Sequence, residues 1–136
     1  MRKAGVLMPV SALPSRVGAG ELGEAAFHFI ELLKKNHVKI WQILPLNPVG
    51  YGNSPYQPYS SCAGDEIYIS LDKLAEDGLL KTAPEAFLQN AKRVDYEAVR
   101  QYREPFLREA FEVFTKKKGQ EESAYKEFAA QEWVYE

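Results

Sequence analysis

The 136-residue sequence has very little cysteine, no excess of basic charge and no long apolar run. A single cysteine, Cys62, excludes an internal disulfide framework and a cysteine-rich metal site, and it favours a reducing, cytoplasmic location. The 17 basic and 19 acidic side chains leave a net charge of −2, so no basic field is available to hold a phosphate backbone. No stretch approaches the ~18 apolar residues of a membrane span. We therefore expect neither nucleic acid nor a membrane as a partner.

The first 44 residues predict a strand, a helix and a second strand. Ala4 to Met8 and Val38 to Leu44 are short apolar runs, typical of strands buried on both faces. Between them, residues 22–35 have apolar side chains at helical spacing and end in lysines. The expected buried stripe of this helix is Ala26, Phe29, Ile30 and Leu33. This order predicts a βαβ unit with parallel strands and a right-handed crossover.

The remaining sequence predicts mostly helices. Glu66 to Ser70 alternates as a strand does, and Leu71 to Asp77 reads as a short helix that ends at Gly78. Thr82 and Glu85 match a capping box for a small helix through Ala91.

Two further helices are predicted towards the end of the chain. Asp95 caps a long helix through Lys118, which Pro105 should kink or divide, and a last helix runs from about Gln120 to Glu136. Two parallel strands followed by helices do not close a sheet. We therefore expect the chain to be the amino-terminal piece of a larger domain.

Several chemistry-bearing residues lack the context that their usual function needs. Gly18, Gly20 and Gly23 match a dinucleotide-binding pattern, but the connection from the first strand is about a dozen residues where a tight turn is required. His28 and His37 flank the first helix without metal-ligand spacing. We expect no cofactor and no metal.

The possible nucleophiles and carboxylates are also isolated. No serine lies in a nucleophile elbow, and Cys62 has no basic neighbour in the sequence. Asp65 and Glu66 are adjacent, so on a strand their carboxylates would point to opposite faces. We expect them not to act together as an acid and base pair.

The stretch 41–64 is the most informative part of the chain. It begins as a predicted strand and opens into a loop with three tyrosines in nine positions, Tyr51, Tyr56 and Tyr59. Loops that follow parallel strands place ligand-contacting groups at the carboxyl edge of the sheet. Tyrosine rings suit sugars, because C–H surfaces stack on rings while hydroxyls seek polar partners. The residues predict ligand contact, with tyrosines that merely cover the end of the sheet as the alternative.

Four segments resemble bacterial 4-α-glucanotransferases, the amylomaltase or disproportionating-enzyme family of the α-amylase clan. They are RKAGVLMPVSALPS, GAGELG, KIWQILPLNPVGYGNSPYQPYSSCAGDEIYISLDKLAEDGLL and RVDYEAVRQYREPFLREAF. The pattern WQ-x-LPL-x-P-x-GYG-x-SPYQ is long and specific, and the resemblance covers essentially all 136 positions. This sequence departs from the common family residues at Arg16-Val17, at Pro58-Tyr59 and at Asp65.

The resemblance implies an α/β fold that is the amino-terminal part of a (β/α)8 TIM barrel, with its first two strands and first helix, plus an inserted, mostly helical subdomain. Residues 1–50 would be barrel, 51–70 a substrate loop and 71–136 the inserted helical region. By motif, Tyr56 and Ser54 would contact glucan in the donor cleft. Tyr51 would belong to an accessory glucan site, whose other aromatic would fall near Arg100, where this chain has no ring.

The activity that the resemblance implies is transfer of α-1,4-glucan segments between maltooligosaccharides by retaining transglycosylation, without a cofactor. The corresponding catalytic carboxylates fall beyond Glu136, so this chain would supply substrate-binding residues, no catalytic residue and no activity alone. Two alternatives remain open: a non-catalytic module that binds α-glucans, and a plain α/β interaction domain.

Overall fold

The computed structural model describes residues 2–50, 52–87 and 93–131. Among these, strands β1 (Gly5–Leu7) and β2 (Ile40–Gln42) pair in parallel. Val6 lies opposite Trp41, and helix α1 (Glu24–Lys35) connects the two strands. The βαβ unit predicted from the sequence is confirmed.

Helix α1 packs on one face of the strand pair. The rings of Phe29 and Trp41 meet edge to face, with centroids 5.0 Å apart. The Trp41 indole N–H also donates to the Met8 carbonyl oxygen at 2.8 Å. The buried residues of this core are Val10, Leu13 and Ala26. Because Val10 and Leu13 follow β1 directly, the core lies at the carboxyl end of that strand.

The opposite face of the strand pair is open to solvent. Leu7 is 56% exposed and Ile40 is 44% exposed, so the prediction of strands buried on both faces is wrong for the described residues. Alternate residues of a strand point to opposite faces, and α1 covers only the Trp41 face. Ile30 of the predicted helical stripe is likewise 48% exposed, whereas Ala26 and Leu33 are buried.

Helices α2 (Leu71–Glu76) and α3 (Tyr96–Lys116) begin at capping residues that the sequence pattern favours. The Ser70 side chain accepts from the Lys73 amide, and the Asp95 side chain accepts from the Ala98 amide. The short helix and the Asp95 cap are therefore confirmed. Helix α3 runs through Pro105 without interruption, so the predicted division is not observed.

The end of the described chain is less regular than predicted. A 3-10 turn at Gly119–Glu121 precedes helix α4 (Ser123–Ala129). The remainder of the predicted last helix, residues 132–136, lies outside the described residues.

Two other predicted elements are wrong. The expected strand at 66–70 begins with a 3-10 turn, Glu66–Tyr68, because the Asp65 side chain accepts from the Ile67 amide and starts the turn. The expected helix from Thr82 is absent over 82–87, where the Phe87 amide instead donates to the Arg16 carbonyl oxygen at 2.7 Å. Residues 88–91 of that helix lie outside the described part of the chain. In both places a hydrogen bond to a side chain or to a residue remote in sequence forms instead of the predicted regular backbone hydrogen bonds.

Helix α3 packs on the loop that precedes α1 and on the 3-10 turn after Asp65. The buried residues of this second core are Ala19, Ile67 and Val99. Tyr68 touches both cores, so the turn that carries it connects α3 to the carboxyl ends of the strands. No helix within the described ranges is long and apolar enough to cross a membrane.

Candidate functional site

A cavity of about 250 Å³ lies at the carboxyl ends of the two strands. Its walls come from the segment after β1, the segment after β2, the tyrosine-rich loop, the 3-10 turn and the start of α3. The lining residues are Pro9, Val10, Ser11, Leu44, Val49, Asn53, Pro55, Asp65, Ile67, Tyr68 and Tyr96. This is the edge at which open and closed parallel sheets place their ligands.

The tyrosine-rich loop is held closed by hydrogen bonds between its two ends. Val49 and Pro58 form an antiparallel bridge, and the Tyr59 amide donates to the Pro48 carbonyl oxygen at 3.0 Å. The Asn47 side-chain amide donates to the carbonyl oxygens of Ser61 and Ala63, at 3.0 and 2.9 Å. These bonds fix both ends of the loop, so its tip is presented beside the cavity on an ordered base.

The structure places two of the three predicted site residues at the tip of this loop. Asn53 and Pro55 line the cavity, and they flank Ser54 in the sequence. The Ser54 hydroxyl accepts from the Tyr56 amide at 3.4 Å, and Tyr56 is 72% exposed. Neither side chain is part of the cavity lining. Tyr51 lies outside the described residues.

Two polar side chains that the sequence did not single out face each other in the cavity. The Tyr68 phenol is half-buried, and the hydroxyl of Ser11, which also lines the cavity, lies near enough to interact with it. Burial raises the pKa of Tyr68 above its ordinary value, and the nearby phenol of Tyr96 and carboxylate of Asp65 add to that rise. The only sequence signal for Ser11 was its position just after a strand. Tyr68 was not identified as a site residue from the sequence, because its segment was predicted to be a strand.

Asp65 and Glu66 share one cation, Arg100. Arg100 donates to both carboxylate oxygens of Asp65, at 2.9 and 2.5 Å, and to Glu66 at 2.8 Å. The Asp65 side chain is only 2% exposed. These hydrogen bonds raise the pKa of Arg100 above its ordinary value, against the opposing effect of burial. The pair is thus an anchor for the turn and not an acid and base couple.

A second buried ion pair fixes the loop that precedes α1. Arg103 on α3 is 1% exposed and donates to the Glu21 carboxylate at 2.9 Å. The Ser70 hydroxyl donates to the other Glu21 oxygen at 2.8 Å, and Arg103 also donates to the Ile69 carbonyl oxygen. The glycine-rich loop therefore holds a buried carboxylate where a nucleotide-binding loop would hold phosphate. Gly20 is required there because its backbone packs directly against that of Val10.

The other residues considered as possible ligands or nucleophiles, two histidines and one cysteine, lie in surroundings that favour a structural function. The Nε2 atom of exposed His28 lies 3.8 Å from the Glu24 carboxylate, and His37 lies just beyond the end of α1, in the left-handed region with φ of 57°. Cys62 is half-buried, with its sulfur 3.7 Å from the Ser61 hydroxyl. Among residues 2–50, 52–87 and 93–131, no three potential ligands cluster as a metal site would require.

A larger cavity of about 440 Å³ follows the outer side of α3. Most of its charged lining residues form ion pairs, as Arg108 does with Glu104, Arg100 with Glu66 and Arg103 with Glu21. Since the strand ends carry hydroxyl side chains and the aromatic loop, we place the candidate site there.

These features define a class: a parallel α/β protein whose strand-end cavity is bordered by tyrosines and hydroxyl side chains, as in carbohydrate-active enzymes. Comparison with known proteins gives the family. Residues 8–136 match the sequence model of the 4-alpha-glucanotransferase family. The chain belongs to this family.

Individual relatives agree with that assignment. The chain is 45% identical to the 4-alpha-glucanotransferase of Synechocystis over 118 residues, which are 83% of this chain and 23% of that protein. It is 41% identical to the Thermus thermophilus enzyme, covering 89% of this chain and 24% of that protein. Its structure matches an amylomaltase from Streptococcus agalactiae in complex with acarbose with a TM-score of 0.81 at 34% identity, covering 94% of this chain and 26% of that one. The chain thus spans about a quarter of the length of these relatives.

Proposed function

We propose that this chain forms one wall of the glucan-binding cleft of a 4-α-glucanotransferase, which transfers α-1,4-glucan segments between maltooligosaccharides by retaining transglycosylation. The observation that carries the proposal is the strand-end cavity with an ordered tyrosine-rich loop beside it, in a chain of this family. The acarbose bound to the Streptococcus agalactiae amylomaltase supports a glucan-like ligand.

The side chains near the cavity suit a sugar. Tyr56 is 72% exposed, so its ring face is free to stack on the C–H surface of a glucose unit. Ser54, Ser11 and Tyr68 provide hydroxyl groups that donate to and accept from sugar hydroxyls. Tyr51 is proposed for an accessory glucan contact on the family motif alone.

The cleft wall binds substrate but does not supply the bond-breaking groups. Retaining glycosidases need two carboxyl groups about 5–5.5 Å apart, one as nucleophile and one as acid and base. Among the described residues that line the cavity, Asp65 carries the one carboxylate, and Arg100 occupies both of its oxygens. We therefore assign no catalytic residue to this chain, and we expect the chain alone to be inactive.

The proposed fold for the complete enzyme is a (β/α)8 barrel to which β1, α1 and β2 belong. The open face at Leu7 and Ile40 supports this, because a further layer of side chains would cover it. Residues 1–50 would be barrel, 51–70 the substrate loop and 71–136 an inserted helical region. We propose α-1,4-glucans as partners and a cytoplasmic location, which the single cysteine favours.

The test is Tyr56→Ala in the complete enzyme, with glucose release from maltotriose as the assay. We expect kcat/KM to fall about tenfold, equivalent to ~1.4 kcal/mol of lost binding in the transition state. Tyr56→Phe keeps the ring and should retain most of the activity. Tyr125→Ala, an exposed tyrosine on α4, is the control for a general surface effect. Wild-type kinetics in Tyr56→Ala would refute the stacking function.

A further inference from the structure

We propose that Arg100 is a positioning residue for the strand-end cavity: by holding Asp65 it fixes the turn that presents Tyr68 to Ser11. Arg100 itself is not part of the cavity lining, so it acts through its partner. The inference rests on the proposed function, since it assigns to helix α3 a part in arranging the glucan-binding wall.

The contact between Arg100 and Asp65 has the geometry of a strong anchor. Its two guanidinium nitrogens donate to the two carboxylate oxygens, at 2.9 and 2.5 Å. Bidentate, charge-assisted pairs of this kind fix orientation as well as contributing energy. The Arg100 side chain is 26% exposed and that of Asp65 is 2% exposed, so the carboxylate depends on this one cation.

Asp65 in turn connects two segments of backbone. Its amide donates to the Leu46 carbonyl oxygen at 2.7 Å, which ties it to the segment after β2. Its carboxylate accepts from the Ile67 amide at 3.0 Å, and its carbonyl oxygen accepts from the Tyr68 amide at 3.2 Å. The orientation of Asp65 therefore sets the position of the turn at 66–68.

The turn carries the side chain that reaches across the cavity. Tyr68 and Ser11 both line the cavity, and their side chains are neighbours there. Without Arg100, the Asp65 carboxylate would be buried and unpaired, which is strongly unfavourable. The turn would then shift to expose the carboxylate to water, and the Tyr68 hydroxyl would leave its place opposite Ser11.

The kinetic experiment compares Arg100→Gln with Arg108→Gln in the complete enzyme, using initial rates of glucose release from maltotriose. Arg108 lies on the same helix and, within the described part of the chain, forms its ion pair with exposed Glu104, so it is the matched control. Small displacements of positioning groups have large kinetic effects. We expect KM to rise about tenfold in Arg100→Gln with kcat changed less than about threefold, because no group that touches the reacting bond is altered.

A charge-neutral double variant separates positioning from general damage. In Asp65→Asn/Arg100→Gln no buried charge is left unpaired, since Glu66 is exposed, and the asparagine oxygen can still accept from the Ile67 amide. We expect KM to return to within about threefold of wild type. A double variant as impaired as the single variant overturns the proposal, as does an Arg100→Gln enzyme that behaves like Arg108→Gln.

A measurement without substrate distinguishes failure of this inference from failure of the proposed function. Amide hydrogen exchange at Ile67 and Tyr68 should be at least tenfold faster in Arg100→Gln than in wild type, and unchanged in Arg108→Gln. Unchanged exchange in Arg100→Gln overturns the positioning role. If the wild-type enzyme releases no glucose, the proposed function fails, and the exchange rates alone decide whether Arg100 holds the turn.

Discussion

Replacing Arg103 by methionine should destabilise the protein far more than a comparable change on the surface of the same helix. Methionine keeps most of the side-chain volume but removes the guanidinium that pairs with Glu21 and caps the Ile69 carbonyl oxygen. Arg103 is 1% exposed and the Glu21 side chain 11% exposed. The variant therefore leaves a buried carboxylate whose remaining partner is the Ser70 hydroxyl.

The size of the effect follows from these contacts. Breaking a buried ion pair by removing one partner costs about 3–5 kcal/mol. The Arg103 Nε is buried without a hydrogen-bond partner, and removing it returns about 1–2 kcal/mol. The net loss in free energy of unfolding is thus about 3 kcal/mol, which at a urea m-value of about 2 kcal/mol/M lowers the midpoint by about 1.5 M.

Urea unfolding monitored by the fluorescence of Trp41 in the α1 core would measure this shift. Arg108→Met is the control, because its exposed pair with Glu104 contributes only about 0.3–0.5 kcal/mol. The double variant Glu21→Leu/Arg103→Met should recover most of the loss, since both charges are then absent. Equal urea midpoints for Arg103→Met and Arg108→Met would show that the buried ion pair does not stabilise the fold.

Two further predictions concern the walls of the site. Gly20→Ala should lower the free energy of unfolding by more than about 2 kcal/mol, because the added Cβ would overlap backbone oxygens. Gly64→Ala is the control: its Cβ would point into open space, so its free energy of unfolding should stay within about 0.5–1 kcal/mol of wild type, and equal thermal midpoints for the two variants would contradict the prediction. Burial raises the pKa of Tyr68, so the phenol of the folded protein keeps its proton at a pH where the unfolded chain begins to lose it. The stability that this neutral phenol contributes is therefore present in full below pH ~10 and is lost as the pH rises above that value. Tyr68→Phe should weaken that alkaline fall in urea midpoint more than Tyr102→Phe, whose phenol is less deeply buried.

Sequence patterns predicted the secondary structure correctly where the stabilising hydrogen bonds join residues that are close together in sequence. The βαβ order, the start of α3 at Asp95 and the short helix at 71–76 all follow from apolar spacing and capping side chains within a few residues. The tyrosine-rich loop was also located correctly beside the strand ends, because a loop that follows a parallel strand has only one edge to occupy.

The two wrong predictions of secondary structure share a physical cause. The segment 66–70 alternates like a strand, but Asp65 caps the turn and Arg100, 35 residues away in sequence, holds that cap. The capping box at Thr82 is not formed, because Arg16 contacts this segment through the Phe87 amide and the Pro84 carbonyl oxygen. In each case a partner remote in sequence outweighs a local preference of a fraction of a kcal/mol to about 1 kcal/mol.

The amino-acid sequence alone was enough to predict the family, the parallel strand pair and the position of the tyrosine-rich loop, because these depend on short-range patterns and a long specific motif. The shared cavity wall of Ser11 and Tyr68, and the burial of Glu21 and Asp65 against Arg103 and Arg100, depend on tertiary packing. Burial in low dielectric makes a charged pair strong only when both partners arrive together. That meeting depends on how α3 docks against the strand ends, which no local spacing encodes.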